Sequence, residues 1–234
     1  MHTLPSTKLR RRRGCLFAIM ATALDFKTMY KAELEKERLR QLGGVPGQGE
    51  EVSSSGAGQE ASAAAAATLL PRSPVDWQGH HRVDSGRLPT VAYIPNFIDE
   101  AEAAHLAAAA RADESKWVAL NKRRLQNLGG VPVASQAGMM PEPLPAFVES
   151  LIDALVQSGI FPSDKRPNHC LLNEYQPGQG IMPHKDGPLY FERVAILSLG
   201  GTAALDFWPE LQAVNSKTPP VISVLTQPQS LLVF

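Results

Sequence analysis

A mainly β fold with flanking helices is what this sequence predicts, and three features predict it. After Pro167 the apolar pattern alternates with period two in six short runs separated by turn residues. The segment 145–159 repeats apolar residues at helical spacing along one side, which requires a sheet to pack against. Upstream, 88–112 reads as strand, loop and helix.

Taken in order, residues 1–24 hold Arg10 to Arg13 followed by a short apolar run, which imitates the head of a targeting peptide. Met20 offers a second start, so the competing reading is a misassigned beginning. Residues 25–44 form a short helix, with Asp25 as N-cap, Gly43-Gly44 as stop, and Phe26, Tyr30 and Leu34 four apart. Residues 25–42 are then either a docking segment for a protein partner or a solvated charged extension. From 45 to about 74 the chain is rich in Gly, Ser, Ala and Glu, and a flexible linker is expected over 45–87.

The folded domain is expected over 88–234. It begins with a strand at 88–94, broken by Pro95-Asn96. Asp99, with Glu102 three positions on, makes a capping-box start for an alanine-rich helix to about 112. Residues 120–138 have neither helical nor strand period and contain Gly129, Gly130 and Pro132, so a mobile loop is expected. Strands follow at 169–176, 181–186, 194–199, 203–208, 221–226 and 230–234. Many short strands with regular turns read as a sandwich, barrel or jelly roll.

Composition narrows the partners. Lysine plus arginine and aspartate plus glutamate each number 23, so no global field draws the chain to polyanions. Cys15 and Cys170 lie far apart and outside any C-x-x-C spacing, which argues against a disulfide scaffold or zinc knuckle. No apolar run reaches the roughly 18 residues of a membrane span, and no membrane partner is expected.

The chemistry concentrates in 173–187. Residues two apart on a strand share a face, so His184 and Asp186 aim an imidazole and a carboxylate at one point. These are two members of the set of two histidines and one carboxylate that holds non-haem Fe(II) for oxygen chemistry. Asn173 and Tyr175 share a face of the preceding strand, and the turn Pro177-Gly178-Gln179-Gly180 brings the two strands together. Polar groups converging inside a barrel call for a bound ion or polar cofactor, because burying them unpaired is costly.

Asn173-Glu174-Tyr175, the run from Pro177 through His184-Lys185-Asp186 to Tyr190, and Ser198-Leu199-Gly200 resemble the AlkB family of Fe(II)/2-oxoglutarate-dependent dioxygenases. The likeness extends over about 88–234, including the entry from Tyr93 to Ile98 and Lys116-Trp117. It implies a double-stranded β-helix (jelly roll), with Fe(II) on His184 and Asp186 and the co-substrate 2-oxoglutarate on Asn173 and Tyr175. No catalytic residue is implied beyond the metal centre. The implied reaction couples decarboxylation of 2-oxoglutarate to hydroxylation of a C–H bond; on an N-methyl group the product loses formaldehyde.

The segment bearing Lys122, Arg123, Arg124 and Gln126 corresponds to the lid such enzymes place over a nucleotide, which implies alkylated DNA or RNA as substrate. The alternative for these residues is a solvated charged loop. Leu128 stands where relatives are expected to carry an aromatic, which weakens base stacking there. The family's location implies nucleus and cytoplasm, beside the organellar reading of the N-terminus.

By the same resemblance, a second iron histidine and a 2-oxoglutarate arginine are expected after a strand like 230–234. All six histidines precede position 185, and no arginine follows Arg193. The expectation is therefore a barrel incomplete at its C-terminus, with this polypeptide inactive as it stands. Two other functions fit the same residues: a 2-oxoglutarate-dependent protein hydroxylase or demethylase, and a non-catalytic binding fragment. Elsewhere, His169 is expected to be a hydrogen-bonded barrel histidine, and Asp206 a solvated outer-face carboxylate.

Overall fold

The computed structural model describes residues 6–22, 69–79, 81–83, 91–133, 138–186, 190–210, 214 and 218–234. The expected helix at 25–44 lies outside them. In chain order the elements are β1 (Ser6–Thr22), β2 (Ala92–Ile94), α1 (Glu100–Arg111), β3 (Val118–Leu120), β4 (Arg123–Leu128), β5 (Gly130–Val133), β6 (Gly138–Pro141), α2 (Ala146–Gln157), β7 (His169–Tyr175), β8 (Ala195–Trp208), β9 (Ile222–Thr226) and β10 (Leu231–Val233). The fold is mostly antiparallel sheet with few helices. The main sheet runs β2-β10-β8-β1-β7-β4-β3, β9 pairs with the far half of β8, and β5 with β6 makes a separate hairpin.

Strand parity sorts apolar side chains into two cores. On β7, Cys170 and Leu172 join the core against the helices, while Tyr175 joins the other; on β10, Leu231 and Val233 divide from Leu232 in the same way. Along β8, Ala195, Leu197 and Leu199 belong to the helix side, yet Ala203, Leu205 and Phe207, of the same parity, belong to the opposite core. The strand changes face at Gly200, whose φ of 84° is left-handed and favours glycine. What reads as two strands, 194–199 and 203–208, is thus one bent strand, serving β10 with its first half and β9 with its second.

The helices form where their caps and stripes place them. Asp99 accepts from the Glu102 amide and Glu102 returns a bond to the Asp99 amide, closing the capping box. In α2, Val148, Leu151, Ile152 and Leu155 are fully buried on one side, and Gly159 ends the turn with φ of 73°. Burying each such side chain is worth about 1.5–3 kcal/mol, so α2 is held chiefly by its contact with the sheet.

Four expectations change. Residues 120–138 are not one loop: β3 and β4 make a hairpin whose second strand pairs with β7. Its period was hidden because inward residues are polar and paired, Gln126 being buried and donating to the Ala110 carbonyl at 2.9 Å. Residues 181–186 do not form a strand; His184 alone makes a bridge contact there, in a segment interrupted by Pro183, which lacks an amide donor. Ser6–Thr22, where no strand was expected, pairs with both β7 and β8, its register shifting between Arg11 and Leu16. Within the span read as linker, Leu69 and Trp77 are buried, with Trp77 Nε1 donating to the Gly159 carbonyl at 3.1 Å.

Candidate active site

The curled sheet encloses a cavity of about 740 Å³. Its wall brings together all four residues singled out for metal and co-substrate, namely Asn173, Tyr175, His184 and Asp186. Two of the four lid residues, Lys122 and Arg123, also line it.

Asn173 and Tyr175 reach the cavity because β7 turns alternate residues to opposite faces. Both are buried, and Asn173 Oδ1 has no hydrogen-bond partner among the described residues. Burial pushes the Tyr175 phenol up to about 12, opposed by the positive charge of the Arg123 guanidinium. Tyr175 is therefore a neutral hydroxyl donor at physiological pH, suited to an anionic ligand.

His184 and Asp186 converge from an irregular segment. Nε2 of His184 lies 3.9 Å from Oδ1 of Asp186, and Nδ1 lies 2.8 Å from the Met182 carbonyl. A carbonyl only accepts, so the ring proton belongs on Nδ1, and in the neutral ring Nε2 keeps its lone pair toward the carboxylate. Backbone anchoring of this kind fixes a ligating histidine. Burial raises the Asp186 carboxyl, with the neighbouring His184 opposing it; a cation would reverse that penalty. With metal–ligand bonds of about 2.1 Å, adjacent ligands on one ion stand about 3 Å apart, so the 3.9 Å gap must close slightly for both atoms to bind one ion. Their types, an imidazole nitrogen and a carboxylate oxygen, suit a divalent ion. Among the described residues, no group of three His, Cys, Asp or Glu side chains gathers to hold one.

The lid residues divide. Lys122 is exposed at the hairpin turn and Arg123 is half-buried at the wall. Arg124 points to the opposite face, where it ion-pairs with Glu174 and Glu114 and stacks over Trp117 at 4.6 Å. Gln126 is committed to α1, and Leu128 is buried in the core on the helix side. Arg124, Gln126 and Leu128 thus have structural places away from the cavity, because strand parity divides a run that a loop would have left together.

Tyr190, Ser198 and Thr226 also line the cavity, and the sequence reading gave none of them a role there. The phenol of Tyr190 is raised by burial and then by the Asp186 charge. Ser198 carried a usable signal, a hydroxyl alternating with apolar residues on a strand; Thr226 carried none. Two expectations are corrected. His169 is buried with neither ring nitrogen hydrogen-bonded among the described residues, its ring tilted against Tyr190 at 6.1 Å. Asp206 is buried, not solvated, and accepts from Ser223 Oγ at 2.6 Å; the serine across the ladder is what makes that burial tolerable.

Comparison with known proteins adds the lineage. No family model matches the chain. Over 153 residues it is 41% identical to the probable RNA/DNA demethylase ALKBH6 of Danio rerio, covering 62% of this chain and 64% of that protein. It is 34% identical to tRNA (carboxymethyluridine(34)-5-O)-methyltransferase alkbh8 of Xenopus tropicalis, over 41% of this chain and 14% of the other. It is 30% identical to the alkylated DNA repair protein ALKBH8 homolog of Arabidopsis thaliana, over 51% and 36% respectively. The chain spans less than two thirds of the length of each of these relatives. By this shared sequence, the chain is a relative of the AlkB family.

Proposed function

We propose that the cavity is the active site of an AlkB-type, Fe(II)/2-oxoglutarate-dependent dioxygenase built on a double-stranded β-helix, and that it demethylates alkylated nucleic acid. One observation carries the reading: the His184 and Asp186 donors stand 3.9 Å apart in the wall that also presents Asn173 and Tyr175. His184 and Asp186 would hold the iron, and Asn173 and Tyr175 the co-substrate. When bound, the metal and 2-oxoglutarate supply oxygen activation. The chain's own residues do the rest. The Met182 carbonyl orients the imidazole, the Tyr175 hydroxyl would donate to a carboxylate, and Leu171, Ile196, Leu205 and Leu232 give the cavity an apolar wall. Lys122, exposed at the rim, would meet a substrate phosphate.

The name of the Danio rerio relative, a probable RNA/DNA demethylase, supports the substrate class. The test is mass spectrometry of N-methylated DNA and RNA oligonucleotides incubated with the native gene product, Fe(II) and 2-oxoglutarate. Loss of methyl groups matched by succinate, both abolished by His184→Ala, is expected. Succinate formation with hydroxylated peptide instead would move the activity to protein substrates, and no turnover on any substrate would overturn it.

One observation favours a second reading for the 234-residue polypeptide itself: among its described residues, the cavity presents only two metal-type side chains. In that reading it binds ligands without turnover, and it would release no succinate under the same conditions.

A further inference from the structure

The hairpin of β3 and β4 is tied down on the face away from the cavity. Glu174, between the two proposed co-substrate residues of β7, is buried, which is costly for a carboxylate unless it is paired. It receives the Arg124 guanidinium, and Arg111 of α1 at 3.5 Å. Burial raises the Glu174 carboxyl, but Arg124 and Arg111 outweigh it and hold the group below its ordinary range. Arg124 also grips Glu114 and lies over the Trp117 ring. These contacts tie β4 to β7 through Glu174 and to the segment before β3 through Glu114 and Trp117.

The register turns this anchor into a site. Arg124 faces Glu174 across the ladder, so the next residue, Arg123, falls opposite Tyr175. On the cavity side the Arg123 charge acts on the Tyr175 phenol, and both side chains line the cavity. The Arg123 Nε is buried and makes no hydrogen bond among the described residues. A guanidinium has five donors; with Nε enclosed, the terminal nitrogens are the ones that could meet a ligand in the cavity that Arg123 lines. Besides exposed Lys122, Arg123 is the lining residue that carries a fixed positive charge.

We propose that Arg123 holds a carboxylate of a small dicarboxylate in the cavity, together with Tyr175 and Asn173, and that the Arg124–Glu174 pair is the clasp that positions it. The carboxylate is favoured over a substrate phosphate because Arg123 is half-buried opposite Tyr175, whereas Lys122 occupies the exposed turn. This rests on the cavity being the co-substrate site.

The test measures 2-oxoglutarate affinity by calorimetry on the native protein with Mn(II) present. Arg123→Gln should weaken binding by about ten- to a hundredfold, as expected for a hydrogen bond to a charged group, and should leave binding of the dimethyl ester unchanged. Glu174→Gln should weaken binding in the same direction, and the reversal Arg124→Glu with Glu174→Arg should restore it, which separates positioning from a general loss of fold. If Asn173→Ala weakens binding but Arg123→Gln does not, this inference fails while the cavity stands. If neither does, the cavity reading fails with it. Loss in Arg123→Gln without loss in Glu174→Gln overturns the clasp. If Arg123→Gln weakens single-stranded DNA binding and spares 2-oxoglutarate, the arginine serves phosphates and the carboxylate assignment is overturned.

Discussion

Nε2 of His184 faces Oδ1 of Asp186 across 3.9 Å, although the segment joining them is not a strand. The convergence comes from the Met182 carbonyl, which turns the imidazole, and from the partial burial of Asp186 beside it. His184→Ala and Asp186→Asn should each lower Mn(II) affinity at least tenfold, read by electron paramagnetic resonance. The His184 side chain is 40% exposed, so its loss should cost under about 1 kcal/mol in a thermal melt. Unchanged Mn(II) binding in both variants would remove the pair from the ligand set.

Asn173 should show opposite effects on stability and binding. Its Oδ1 is buried without a partner among the described residues, a condition that costs about 1–3 kcal/mol. Asn173→Leu removes that cost with a side chain of the same branching and heavy-atom count, its extra bulk directed at the cavity. Chemical denaturation should find the variant as stable as the parent, or more so by about 1 kcal/mol, while 2-oxoglutarate affinity falls. A large loss of stability would mean that the amide is satisfied structurally and not reserved for a ligand.

What sequence reading could reach depended on where each polar residue found its partner. Strand β7, helix α2 and the Asp99–Glu102 cap were legible because their signals are local: alternation, an apolar stripe and a four-residue motif. The hairpin β3–β4 was not, since Arg124 and Gln126 look like loop residues until Glu174, fifty positions on, and the Ala110 carbonyl are seen to receive them. Asp206 misled for the same reason, its partner Ser223 lying on another strand. Strand β1 carries an arginine run that breaks alternation, so nothing local marked it. The site residues Asn173, Tyr175, His184 and Asp186 do meet, but the strand parity offered for the last two was not the cause.

Gly129 should tolerate no side chain. It joins β4 to β5 with φ of 85°, and a Cβ there would stand 2.2 Å from the Asn168 carbonyl oxygen and 2.8 Å from Leu144 Cδ2. The backbone oxygen cannot swing aside as a flexible side chain could. Gly129→Ala adds left-handed strain of about 1–2 kcal/mol to that clash, so a loss of at least about 2 kcal/mol is expected in urea unfolding. A variant within about 0.5 kcal/mol of the parent would show that the β4–β5 connection adopts another path.

His169 should make stability fall with acid over a defined window. Burial lowers its imidazole from 6.5 to about 4, because neither nitrogen has a hydrogen-bond partner among the described residues to support the charged ring. The unfolded chain takes up a proton near pH 6.5 and the folded chain only near 4, so protonation favours unfolding between them. The neutral ring's contribution is complete above pH 6.5 and declines toward pH 4, by about 3 kcal/mol in total at one pKa unit per 1.4 kcal/mol. His169→Phe keeps a ring against Tyr190 and has no proton to gain. Urea unfolding of parent and variant from pH 7.5 to 4.5 should therefore diverge, the parent losing stability faster as pH falls. Parallel curves would place a solvent or hydrogen-bond partner on the imidazole and refute its isolation.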